Sequence, residues 1–258
     1  MPSRFFQFLF LSLAALLSLI HTAGAEDLTV SAAMSLKNAF DEIGRQFEIN
    51  HPGVKVLLNF GASGDLARQI AAGAPVDVFA SAAQKDLEEL DGQGLIRPGT
   101  KVNFAGNRLV LVVPHTTTLS LRSFQDLKDP RIRRVALGNP KTVPAGRYAQ
   151  EVLTYFRLWD GFRNKWILAD NVRQVLDYVA RGEVDAALVY STDVAIRAKD
   201  IKIIARAPEG SHQPILYPMG IVRESRKEAM SEAFVALVLS RKGKDILQRY
   251  GFLAPFEK

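Results

Sequence analysis

The 258-residue chain contains no cysteine. That absence excludes a disulfide framework, thiolate metal sites, a cysteine nucleophile and a lipidated N-terminal cysteine. Histidine is scarce, with four in the chain, and none falls in an H-E-x-x-H or similar metal-binding spacing. Charge of one sign is not in large excess either: 33 Lys and Arg face 27 Asp and Glu, for a formal charge of +6. So mild an excess accounts for solubility and a weak attraction to anions. Short basic groups such as Arg131/Arg133/Arg134 and Arg241/Lys242/Lys244 read as solvated faces, and nothing marks a nucleic-acid partner. With 48% hydrophobic and 23% charged residues the balance is that of an ordinary globular chain, not a disordered, collagen-like or coiled-coil one.

Long apolar runs are missing except at the start. Arg4 is the only charge before Glu26, and Phe5 to Ile20 is interrupted only by Gln7, Ser12 and Ser18. That run is short for a membrane-spanning helix, and Ala23-Gly24-Ala25 follows it with small residues where a signal peptidase reads. Residues 1–25 are therefore expected to be a cleaved signal peptide, with the mature chain starting at Glu26 in the periplasm.

The remainder alternates strand, short loop and helix. β-prone runs are expected at 27–32, 54–60, 76–80, 109–113, 134–137, 184–190 and 215–222. Amphipathic helices are expected from Ser35, Gly64, Gln84, Pro144, Val172, Lys227 and Gly243. Alternation of this kind argues for mostly parallel sheets with helices on both faces. Two such series imply two lobes: lobe 1 from 26–112 and 215–258, lobe 2 from 113–214, with a double-crossover hinge in the long β runs.

Ligands of open α/β sheets bind beyond the carboxyl ends of strands, where helix N-termini carry unpaired N–H groups. Four junctions put small or hydroxyl residues there: Ala33-Met34-Ser35, Gly61-Ala62-Ser63-Gly64, Val143-Pro144-Ala145-Gly146 and Asp170-Asn171-Val172. Tyr190 ends a strand and could bring its phenol to the same cleft. Each has an ordinary explanation when read singly: a capping serine, a Gly-rich turn, an uneventful helix start, a half-buried core tyrosine. Together they outline a cleft of neutral donors, which suits a fully deprotonated oxyanion that only accepts hydrogen bonds. No base stands near Ser35 or Ser63 in sequence, and His51, His115 and His212 form no triad pattern, so a serine hydrolase is the weaker reading.

The runs Thr29–Ala39 (T-V-S-A-A-M-S-L-K-N-A), Phe60–Pro75 (F-G-A-S-G-D-L-A-R-Q-I-A-A-G-A-P) and Val143–Ala149 (V-P-A-G-R-Y-A) resemble periplasmic molybdate-binding proteins of ABC transporters. So do Asn171-Val172-Arg173, the stretch from Gly182 to Tyr190, and Arg249–Phe252. The resemblance covers the mature chain in order. It implies a type II periplasmic-binding fold, two lobes closing on molybdate or tungstate held as an intact oxyanion, with no direct metal ligand and no cofactor. It implies that Ser35 and Ser63 bind through hydroxyl and backbone N–H, Ala145 and Val172 through backbone N–H, and Tyr190 through its phenol. The implied partner is a membrane permease, and the implied state a monomer. Met34 stands where the family has a small residue, and Asp65 where a hydroxyl or basic residue is frequent. Asp65 keeps a phosphate preference open, and a sulfate or thiosulfate binder is the near alternative. A ferric-iron binder is disfavoured because no adjacent tyrosine pair is present.

Overall fold

The computed structural model describes residues 27–255; the expected signal peptide lies outside them. Two five-stranded mixed sheets carry helices on their faces. The first sheet has strand order β2-β1-β3-β10-β4 and the second β7-β6-β8-β5-β9. In the first, β1 (Asp27–Ala33) runs parallel to β2 (Lys55–Gly61) and β3 (Val78–Ala80), while β10 (Leu216–Ile221) lies antiparallel between β3 and β4 (Val102–Gly106). In the second, β6 (Val135–Gly138) is parallel to β7 (Trp166–Ala169) and β8 (Ala186–Tyr190). There β5 (Leu109–Pro114) is the antiparallel strand, between β8 and β9 (Ile201–Arg206). The two sheets share one plan, and in each the antiparallel strand adjoins a crossing.

β5 belongs as a whole to the second sheet. Its partners are β8 and β9. By pairing, the chain passes between sheets at 106–109 and again at 206–216. The crossings touch, with the Asn107 N–H on the Ile215 carbonyl at 3.2 Å and the Ala207 N–H on the Leu109 carbonyl at 2.9 Å.

Burial explains why these segments hold. In β1, Leu28, Val30 and Ala32 are fully buried, as are all the apolar residues of β5 through Val113. Helix α1 (Lys37–Asn50) buries Ala39, Phe40, Ile43 and Phe47 at helical spacing. Phe40 and Phe47 set their rings edge-on to Phe234 at 6.0 and 5.5 Å, which brings helix α7 (Glu228–Leu239) back to the first sheet. Helix α8 (Arg241–Arg249) follows, capped by the Ser240 hydroxyl accepting from the Gly243 N–H at 3.1 Å. Among the described residues no helix is long and apolar enough to cross a membrane.

Candidate anion site between the sheets

Four helix starts converge on one cavity. A 3₁₀ turn over Met34–Leu36 leads from β1 into α1, and α2 (Ser63–Ala71) follows β2. In the second sheet α4 (Pro144–Tyr155) follows β6 and α5 (Val172–Ala180) follows β7; α3 (Gln84–Gly92) follows β3 beside them. Ser35, Ser63, Ala145, Val172 and Tyr190 all line one small cavity, so the structure brings together all five residues expected from the sequence. Met34, Ala82 and Asn171 line it too, and no charged side chain does.

The two serines are not capping residues. Ala62 is the N-cap of α2, leaving Ser63 as the first helical residue, and no side-chain cap forms at Ala33 or Ala62. Each hydroxyl instead meets another polar group of the protein. The Ala82 N–H donates to Ser63 Oγ at 3.0 Å, and Ser35 Oγ lies 3.0 Å from Tyr217 Oη. With its oxygen accepting, the Ser63 hydroxyl keeps its proton for another partner. Pro144 occupies the first turn of α4, where it has no N–H to leave unpaired, and the N–H of Ala145 comes next. Asn171 caps α5, its Oδ1 accepting from the Gln174 N–H at 3.0 Å, which leaves the Val172 N–H at the helix end.

Tyr190 carries the clearest sign of a missing partner. The residue is 1% exposed, and its Oη is buried without a hydrogen bond. Burial raises the phenol well above its ordinary pKa, with Tyr217 and Tyr148 adding to the rise, so the hydroxyl stays a donor. A buried hydroxyl without a partner costs about 1–3 kcal/mol, which a ligand accepting from it would recover.

The two halves also meet around the cavity. The Gly64 N–H donates to the Thr142 carbonyl at 3.0 Å, Arg173 Nη2 donates to Asn38 Oδ1 at 3.1 Å, and Arg147 pairs with Asp86. Asp86 is 2% exposed; its burial raises its pKa, opposed by Arg147. Asp65 turns away and pairs with Arg68 on its own helix, so it is the first-turn acid of α2 and not part of the lining. None of His51, His115 and His212 lines the cavity. Among the described residues no cluster of three or more His, Asp or Glu could hold a metal ion.

Sequence reasoning missed the supporting groups. Ala82 follows β3 in the string Ser81-Ala82-Ala83, the same S-A-A that ends β1, and that repetition was the available signal. Tyr217 reads as a core aromatic, and Asn107 as one polar residue between two β runs.

Residues 28–253 match the bacterial extracellular solute-binding protein family. The molybdate-binding protein ModA of Escherichia coli is 38% identical over 231 residues, covering 87% of this chain and 88% of that one. The molybdate-binding protein ModA of Haemophilus influenzae is 33% identical over 238 residues, covering 90% and 92%. Among solved structures, the periplasmic molybdate-binding protein of Azotobacter vinelandii superposes with a TM-score of 0.78 at 29% identity, covering 88% of this chain and 99% of that chain. A cleft of neutral donors between two like-built sheets thus sits in a chain that belongs to the bacterial extracellular solute-binding protein family.

Proposed function

We propose that this protein captures molybdate or tungstate between its two lobes and delivers it to the membrane permease of an ABC transporter. It is a solute-binding protein and not an enzyme, as its family and relatives indicate. The observation that carries the oxyanion reading is the buried, unpartnered Tyr190 hydroxyl on a cavity lined by two serines and by helix starts, with no charged side chain. Such a lining offers donors fixed in position, and an anion such as molybdate can accept from all of them at once.

Ser35 and Ser63 come from the first sheet's side and Ala145, Val172 and Tyr190 from the second's. Bound anion therefore bridges both halves and favours the closed arrangement, in which Gly64 meets Thr142. Selection over sulfate follows from size, because metal–oxygen bonds are longer than sulfur–oxygen bonds and the donors are held by helices. Asp65 lies outside the lining, which speaks against the hydrogen phosphate preference that it kept open. The lobe division, export to the periplasm with cleavage after residue 25, and a monomeric state complete the reading.

The test is thermal unfolding of residues 26–258 with molybdate, tungstate, sulfate and phosphate. A ligand at 100 times its Kd adds about 2.7 kcal/mol, and each kcal/mol moves the midpoint by roughly 2–4 °C for a chain of this size. Shifts with molybdate and tungstate alone are expected. A shift with sulfate or phosphate of equal size would replace the proposed substrate.

A further inference from the structure

Asn107 lies in the two-residue link between β4 and β5, where the chain first passes from one sheet to the other. Its amide is held from four directions. Oδ1 accepts from the Arg108 backbone N–H at 2.9 Å and from the Ser191 hydroxyl at 3.1 Å. Nδ2 donates to Thr192 Oγ1 at 2.9 Å and to Tyr217 Oη at 3.1 Å. The Arg108 N–H can only donate, so the atom it meets is the amide oxygen, and the group facing Tyr217 is the NH₂.

That polarity propagates. An amide NH₂ cannot accept, so the Tyr217 oxygen accepts from Asn107 and its own proton must go elsewhere. Tyr217 is fully buried, and its other polar partner is Ser35 Oγ at 3.0 Å. Were Ser35 to donate to Tyr217 as well, the phenol proton would be buried without an acceptor, which is costly. Tyr217 therefore donates to Ser35, whose hydroxyl proton is left for the cavity that Ser35 lines. We infer that Asn107 is a positioning residue which, through Tyr217, fixes the Ser35 hydroxyl as a donor toward the bound anion. The inference rests on Ser35 being an anion ligand. Because Ser191 and Thr192 directly follow Tyr190, the same amide ties the Ser35 side of the cleft to the Tyr190 side.

Asn107→Asp keeps the shape and reverses the polarity. A carboxylate at 107 accepts the Tyr217 proton, Tyr217 then accepts from Ser35, and Ser35 turns a lone pair toward the anion. Losing one charge-assisted donor predicts a fall in molybdate affinity of about ten- to a hundredfold by titration calorimetry. The new charge alone would also weaken binding, so the decisive reading is a double-mutant cycle with Tyr217→Phe. With Tyr217 cut, Asn107→Asp should cost at most a few-fold, which is the part owed to charge. If the two losses simply multiply, the relay is wrong. Should Asn107→Asp not fold, Tyr217→Phe alone serves: it removes one oxygen, and unchanged molybdate affinity overturns the inference. Ser35→Ala separates the two levels of the argument. If it binds molybdate like the parent, the site assignment fails; if it loses binding while the cycle shows no coupling, the relay alone fails.

Discussion

Tyr190 and Ser63 face the same cavity, yet their removal should have opposite effects on the empty protein. Tyr190→Phe deletes a buried hydroxyl that has no partner, so the ligand-free form should melt at the same temperature or higher. Ser63→Ala strands the Ala82 N–H that its oxygen satisfies, so the ligand-free form should lose about 1–3 kcal/mol. Both should weaken molybdate binding by about ten- to a hundredfold, while the exposed His115, whose ring meets the Ala198 carbonyl outside the cavity, should become Ala without effect on binding. Melting curves and titrations on the three variants test this together. Asp193 offers a separate reading in pH. Its fully buried carboxyl is pushed up to about 7 by desolvation, against the pull of Arg173 and the Tyr190 N–H. The folded state thus holds a proton the unfolded chain releases near its ordinary pKa, so stability is lost as pH rises from about 4 to 7 and is level above. Asp193→Asn keeps an acceptor for the Tyr190 N–H, and its melting temperature relative to the parent should climb across that window. The gathering of the five proposed anion-binding residues in one cavity was legible because each stands at a strand end or helix start. Asn107 and Tyr217 were not, since the Ser35–Tyr217 bond spans 182 residues and the Asn107–Tyr217 bond 110.

At the scale of elements, the helices and central strands are readable from their apolar spacing, and the strands that escape are all at edges. β4, β7 and β9 each border their sheet on one side only. Leu168 in β7 and Ile203 in β9 are 50% and 42% exposed, so their residues follow no strict alternation. β2 is an edge strand too, but its exposed and half-buried residues alternate, and that pattern is visible in the sequence. Close approach between elements was equally silent. A Cβ on Gly64 would sit 2.8 Å from the Thr142 carbonyl oxygen across the cleft, so only glycine lets α2 meet the β6–α4 loop. Gly64→Ala, at a helix start that alanine accepts, should leave folding nearly unchanged and reduce molybdate affinity about tenfold or more, as seen by melting and titration side by side.

For the molecule as a whole, the contacts that flank the cavity bias the balance between open and closed forms. Arg147 on α4 neutralises the buried Asp86 on α3. With Arg147→Met the closed form keeps a buried carboxylate without its cation, a loss of about 3–5 kcal/mol if the group stays charged. The open form, with Asp86 hydrated, should then gain population, so the apparent affinity falls and the ligand-free protein scatters X-rays with a larger radius of gyration. The strand plan carries a consequence of another kind. The second sheet is made of β5 to β9, one unbroken stretch of chain, whereas the first needs β10 from residues 216–221 between β3 and β4. As the chain emerges, the inserted half can complete itself while the half that encloses it waits for its last strand, a long loop closure that slows it. Pulse-labelled hydrogen exchange should find the amides of β5 and β8 protected before those of β3 and β10, so that maturation begins in the middle of the chain and ends where its two ends come together.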